Sequence, residues 1–446
     1  MRYFIRIRFI SIQRFLVTLF LITNSGVTPL SYADDLKLIS LQEAIDYAIA
    51  HHPQLKIAQI DVNIRKAGVT ESRSGLFPEV SANALETTGF PSSTGGLEVR
   101  GLANSPYKRG WGVDVEVEQI LFDFGRTAAV IRSAKSQKEA AEASGALVQM
   151  EVVLEIHRAY ALCQMYQDQM SLYQSVFDDT KLMLDEIRKF VKTGQRSLVE
   201  SALMGTRLDE LQQSQILTER LLEESVAQLN FSMGVSGTNQ FTIKQGGLHV
   251  LSDEALGLRP FVQLLSTALR DNPKVKMLEA EERQAEANAD KTQSEYLPKI
   301  VGVVNAGTFY DTRFVKRDDY AAGVALKIPL FDGLRTPSRH EQAKLKEDRS
   351  RQEKQQFENT LQLQIRKLVL DFQQFVKLRP IVEDQLSQSK GALQLAKERY
   401  LSKSGLLAEM DQAQKAYINA RENDLQMRFK LLLSDVLLKQ ALGGEK

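Results

Sequence analysis

Trp111 to Arg126 reads WGVDVEVEQILFDFGR, and Tyr320 to Arg335 reads YAAGVALKIPLFDGLR. In the first stretch Val113, Val115 and Val117 alternate with Asp114, Glu116 and Glu118; in the second Tyr320, Ala322, Val324, Leu326 and Ile328 alternate with smaller or polar partners. A period of two with one apolar face is the pattern of a β-strand. Each strand runs into the same motif, LFDFGR or LFDGLR, with Phe122 and Phe331 offset by 209. Val80 to Leu85 and Ile300 to Tyr310 are weaker strand partners. Each copy therefore reads as an antiparallel pair.

The likeness extends over the chain. His52-Pro53-Gln54-Leu55-Lys56 matches Asn272-Pro273-Lys274-Val275-Lys276 at an offset of 220, as Leu76-Phe77-Pro78 matches Tyr296-Leu297-Pro298. Gly194 and Gly405 follow at 211, with Val199-Glu200 set against Met410-Asp411. Ordered landmarks of this kind mark an internal duplication of about 200 residues. The first repeat covers 34–234, with a β-hairpin at about 79–122 and a long helical hairpin at about 127–234. A linker spans 235–259. The second repeat covers 260–446, with a β-hairpin at about 299–330 and a helical hairpin at about 334–442.

Between the strand pair and the tip glycine lies a long helix. No proline occurs between Pro106 and Pro260. Ile156, Ala159, Cys163, Tyr166, Met170, Tyr173, Phe177, Thr180, Leu184, Ile187 and Val191 step by three and four. The same positions shifted by 209 run from Ile365 to Tyr400, with Arg379 the one charge. Sustained heptads mean helices packed by knobs into holes. Cys163 falls in this seam and reads as a core residue. Pro380 should kink the second copy. The first long helix, Thr127 to Phe190, spans roughly 96 Å, and two shorter helices, Pro53 to Phe77 and Leu198 to Gly234, match its length when stacked end to end.

Composition excludes several functions. The 446 residues are 43% apolar and 25% charged, with 57 basic against 56 acidic groups, so no polybasic surface for nucleic acid is present. One cysteine rules out a disulfide framework. His51-His52 lacks a third ligand at helical spacing, and no nucleophile, phosphate loop or paired carboxylate stands out. No enzyme, metal or cofactor is expected. Residues 1–33 read as an export leader, with Arg2, Arg6, Arg8 and Arg14 before an apolar Phe15 to Ile22 and a Ser31-Tyr32-Ala33 cleavage site. No other apolar run approaches a spanning helix, so membrane residence must use strands. Four strands cannot close a barrel, which needs about eight, a number that two copies of the chain reach and three exceed. Val113, Val115, Val117, Val324 and Leu326 should then face lipid, and Asp114, Glu116 and Glu118 the lumen.

The chain resembles the TolC-like outer-membrane channel-tunnel family. The likeness is carried by ISLQEAIDYAIAHHPQLK, SGLFPEVSANA, ILFDFGR, IPLFDGLR, FVKTGQRSLVES and YLSKSGLLAEMDQA, and it covers nearly all of the chain after the leader. The resemblance implies a mainly α protein with a β-barrel portion. Duplicated long-helix hairpins would form an α-helical barrel, and two β-hairpins per chain would close as a homotrimer into a 12-stranded barrel in the outer membrane of a Gram-negative-type cell. It implies a passive exit duct with a periplasmic tunnel, working with a periplasmic adaptor protein and an inner-membrane pump. A periplasmic coiled-coil scaffold would explain the heptads but not the duplicated strands.

The resemblance also singles out the helix tips. In the family an acid six residues after the second tip glycine helps close the entrance. Asp411 holds that place, and Glu200 reads as its equivalent in the first repeat. The family's arginine two residues after that glycine and its acid nine after are here Leu407 and Gln414. Arg196 offers a basic group in the first repeat instead. Arg196, Glu200, Glu409 and Asp411 are therefore the candidate gate, at the turns of Gly194 and Gly405.

Overall fold

The computed structural model describes residues 37–88, 109–235, 241–244, 246, 259–311 and 316–444. The leader expected over 1–33 and most of the linker lie outside them.

One order of elements is laid down twice. In the first half β1 (Lys37–Ile39) leads into α1 (Leu41–His51), α2 (Pro53–Arg73), β2 (Glu79–Thr88), β3 (Arg109–Phe122), α3 (Arg126–Lys192) and α4 (Leu198–Ser232). In the second half β4 (Phe241–Ile243) leads into α5 (Phe261–Asp271), α6 (Pro273–Gln293), β5 (Lys299–Asp311), β6 (Lys316–Lys327), α7 (Arg335–Leu401) and α8 (Leu407–Ala441). Both α3 and α7 have 67 residues, about 100 Å of helix, and both α4 and α8 have 35. Pro380 is exposed and does not interrupt α7. A 3-10 turn (Ser74–Leu76, Ser294–Tyr296) ends α2 and α6 before the strands, some residues earlier than a continuous helix to Phe77 or Leu297 would.

Local chemistry explains the boundaries. Ser40 and Glu43 form a capping box at the start of α1. The X-Pro pairs start α2 and α6 alike: Pro53 and Pro273 occupy the first turn, where a missing N–H costs nothing. The side chains before them are the N-caps. His52 Nδ1 accepts from Gln54 N–H at 3.2 Å, and Asn272 Oδ1 accepts from Lys274 N–H at 2.9 Å. His52 is thus the N-cap of α2. At the strand-to-helix junctions Asp123 and Asp332 accept from the backbone N–H and hydroxyl of Thr127 and Thr336. Two successive residues turn left-handed there: Phe124 and Gly125 in one copy, Gly333 and Leu334 in the other. The glycine has changed places, so each copy carries one side chain in a conformation that disfavours it.

Two equivalent cores sit midway along the long helices. In the first, Ala44 and Ala48 of α1 pack with Val152, Ile156, Leu229 and Cys163. In the second, Leu264 and Ala268 of α5 pack with Leu361, Ile365 and Leu438. The first core also takes Ile39 and Ile243 from a parallel β1–β4 pair, a strand the linker was not expected to hold. Burial pushes the Cys163 thiol up to about 11, the mark of an inert core residue. Each fully buried Leu or Ile contributes about 1.5–3 kcal/mol.

The helices follow one another laterally: α2 and α4 lie on one side of α3, α6 and α8 on the other, and α7 lies beyond these. The four long strands form a sheet of order β2-β3-β5-β6, antiparallel throughout.

Burial lowers the pKa of His52, which must be neutral to accept from Gln54. The unfolded chain takes up a proton that the fold resists, so stability is full above about pH 6.5 and falls as pH drops below it. In thermal unfolding of detergent-solubilised protein, His52→Asn should keep the cap and lose that acid sensitivity. His52→Ala should cost about 1 kcal/mol at pH 8.

Candidate functional site

Two regions carry the features singled out by sequence: the sheet and the helix tips. In the sheet, pairing fixes which residues share a face. Val113 lies opposite Ala84 and Thr308, Val115 opposite Ala82 and Ala306, and Val117 opposite Val80 and Val304. Through β5 the same face continues to Tyr320, Ala322, Val324 and Leu326. Away from its loop end, where Glu86 and Asp318 lie, this face is apolar and open, with Val324 70% and Leu326 60% exposed. Asp114, Glu116 and Glu118 share the other face with Glu79, Ser81, Asn83, Asn305 and Lys327. Asp114 is buried there, and its Oδ2 accepts from the amides of Asn83 and Asn305 at 3.2 and 3.3 Å. Val113, Val115, Val117, Val324 and Leu326 thus lie together, and the three acids lie behind them. The final strand differs from expectation: β6 begins at Lys316 and stops at Lys327, three residues short of Leu330.

The tips correct the sequence alignment. Every helix boundary there repeats at 209: Lys192 with Leu401, and Leu198 with Leu407. Gly194, left-handed at φ 71°, therefore corresponds to Lys403, left-handed at φ 65°, and not to Gly405. Both close their helix with the same bond, Gln195 N–H to Phe190 O and Ser404 N–H to Arg399 O. Gly405 corresponds to Arg196. It is needed for close approach, since a Cβ there would lie 3.0 Å from Tyr400 N. The first-turn acids are accordingly Glu200 and Glu409, whereas Asp411 sits two residues deeper and is not the equivalent of Glu200.

Arg196 joins the two repeats. Its Nη2 donates to the carbonyls of Gly405 and Tyr400 at 3.2 and 3.4 Å, and its guanidinium lies 4.5 Å from the centre of the Tyr400 ring. Its Nε is 3.8 Å from Glu200, which also accepts from the Tyr400 hydroxyl at 2.5 Å. Tyr400 is fully buried, and burial with Glu200 beside it pushes its phenol pKa up. Arg196, the basic group that the sequence offers in the first repeat, pairs with Glu200 of that same repeat. Asp411 is paired with Lys415 at 2.8 Å and Arg207 at 3.7 Å, and Glu409 with Arg399 at 3.5 Å. Arg207 also donates to Gln414, whose amide donates to Thr180, so α4, α8 and α3 are tied in one chain. Sequence reading missed Tyr400, Arg207 and Gln414 as site residues. For Tyr400 a signal existed: it occupies a heptad seam position, and a buried tyrosine hydroxyl requires a partner.

Comparison with known proteins places this geometry. A family model described as outer membrane efflux protein matches residues 44–235 and 264–444. Protein CyaE of Bordetella pertussis is 25% identical over 315 residues, an alignment covering 68% of this chain and 62% of that protein. The chain thus matches less than two thirds of that relative's length. Among solved structures, CusC superposes with a TM-score of 0.77 at 14% identity, covering 92% of this chain and 94% of that one. The outer membrane protein VceC of Vibrio cholerae gives 0.74 at 16% identity, covering 91% and 96%. The open state of the MtrE outer membrane channel of Neisseria gonorrhoeae gives 0.70 at 18%, covering 91% and 89%. At these identities the likeness to the solved structures is one of fold.

The tip contacts predict a local effect. Arg196→Ala leaves two carbonyls and Glu200 without a charged donor, a loss of about 1.5–3 kcal/mol. Amide-exchange protection around Arg399 to Gly405 should fall about ten- to a hundredfold, while the mid-helix cores keep theirs.

Proposed function

The chain belongs to the outer membrane efflux protein family, and from that premise we propose that it is the passive exit duct of an export system. Three copies close twelve strands into an outer-membrane barrel, and their helices continue as a periplasmic tunnel. A periplasmic adaptor protein and an inner-membrane pump supply the cargo and the energy. The chain itself does no catalysis in this reading.

One observation carries the proposal: a four-stranded sheet with an apolar, exposed face, a carboxylate-bearing opposite face, and two edges that no strand among the described residues covers. Unpaired strand edges are not tolerated in hydrocarbon, where no water replaces the missing bonds. No helix among the described residues is long and apolar enough to cross a membrane. The exposed face of Val113, Val115, Val324 and Leu326 meets lipid, and Asp114, Glu116 and Glu118 line water. A coiled-coil scaffold would leave this sheet without a role. At the far end, Arg196, Glu200, Tyr400 and the paired acids Glu409 and Asp411 hold the helix tips together and set the closed entrance.

The test is assembly and conductance. Val115→Arg places a charge in lipid at a cost of about 2–4 kcal/mol per copy near the bilayer midplane, whereas Glu116→Arg only changes the lumen. Val115→Arg should abolish insertion into the outer membrane. Glu116→Arg should insert, conduct in planar bilayers, and show altered ion selectivity. Equal tolerance of both substitutions, or inserted protein that never conducts, would overturn the proposal.

A further inference from the structure

The two hairpins share one register. Glu79 lies opposite Glu118 in β2–β3, and Lys299 opposite Lys327 in β5–β6. The repeat offset of 220 carries Glu79 onto Lys299, and the offset of 209 carries Glu118 onto Lys327. The same two offsets carry the other end of the hairpin, Thr88 with Arg109, onto Thr308 with Asp318. The strands therefore repeat in pairing as well as in sequence.

The seam between repeats, β3 with β5, can be carried forward by the same offsets. It becomes a seam between β6 of one copy and β2 of the next. Val117 opposite Val304 becomes Leu326 opposite Ala84, and Gln119 opposite Gly302 becomes Ile328 opposite Ala82. Phe122 opposite Ile300 becomes Phe331 opposite Val80. Each carried pair keeps both residues on the apolar face, which a one-residue slip would not do.

Two independent observations support this seam. In β3, residues Gln119 to Phe122 extend beyond the last β2 pair and are bonded to β5 alone. Their equivalents, Ile328 to Phe331, belong to no strand in a single chain, and Leu330 and Phe331 are 91% and 83% exposed. That is the condition of a strand end whose partner is another molecule, and it accounts for the early stop of β6. On the helical side, Ile57, Ile60 and Ile64 of α2 are 58%, 56% and 58% exposed. Their equivalents Met277, Ala280 and Gln284 lie on α6, which packs against α3, and are buried or half-buried.

We propose that β6 of one copy pairs antiparallel with β2 of the next, with Leu326 opposite Ala84 and Ile328 opposite Ala82, extending β6 to Phe331. The inference rests on the closed-barrel reading above and adds the residue-level register of its inter-copy seam. The partner is a second copy of this chain, since no other molecule would present β2 in the repeat's own register.

Paired cysteines test it. Within one chain β2 and β6 are separated by two strands, about 14 Å, too far for a disulfide. The native Cys163 is buried away from the sheet. Full-length protein carrying Leu326→Cys with Ala84→Cys should form disulfide-linked oligomers in outer-membrane preparations under mild oxidation. Leu326→Cys with Val80→Cys, four residues out of register, should yield at least about tenfold less, since opposite residues approach within about 5.5 Å and distant ones do not. Amine-reactive crosslinking of the same preparations reports separately whether copies assemble at all. Assembled protein that links through Val80 rather than Ala84, or through neither, overturns the register. Protein that never assembles overturns the closed-barrel reading instead.

Discussion

The backbone groups along the outer edges of β2 and β6 are the constraint on which the rest depends. Among the described residues β2 pairs in the sheet with β3 alone and β6 with β5 alone, so each end strand has one edge that no described strand covers. In water such edges bond to solvent, but beside an apolar face placed in lipid, as proposed, they could not. On the proposed reading the open sheet and its apolar face share one solution: more strands, supplied by more copies. The helices obey the same rule. With α2 and α4 on one side of the protomer and α7 on the other, the proposed assembly has another copy continue each lateral face.

Duplication makes this closure economical in information. One hairpin register, one long helix and one mid-helix core serve twice, and in the proposed assembly the junction between repeats inside a chain is the template for the junction between chains. The ties that differ are instructive. Across the internal seam, Arg132 pairs with Asp290 at 2.7 Å and Arg283 with Glu139 at 2.8 Å. These pairs are exposed, so each is worth little in stability, about 0–1 kcal/mol, and their contribution is to alignment. The matching positions on the outer side of α2 are uncharged, Thr70 and Asn63, and isoleucines stand exposed nearby. Apolar burial would replace ion pairing there.

Most of the fold was legible because it is periodic. The alternation of Val113 to Glu118 set strand faces that the pairing reproduces, and the heptads from Ile156 to Val191 marked a helix that runs unbroken for 67 residues. The offsets of 220 and 209 even carried the register. What sequence misread was aperiodic. Gly194 and Gly405 look equivalent because glycine so often ends a helix, yet the left-handed residue of the second tip is Lys403. That error shifted the first-turn acid from Glu409 to Asp411. In the single chain β6 stops at Lys327, whereas the alternation continues to Leu330 whether or not a partner strand is present. The Arg196–Tyr400–Glu200 cluster joins residues some 200 positions apart, a contact that no local pattern records.

Counting the copies tests the central claim most directly. Native mass spectrometry of protein extracted from outer membranes in mild detergent should show a single dominant species of three chains, with its leader removed. A discrete monomer or dimer would contradict the account, because the outer edges of β2 and β6 would then lie open in lipid or close a barrel of only eight strands.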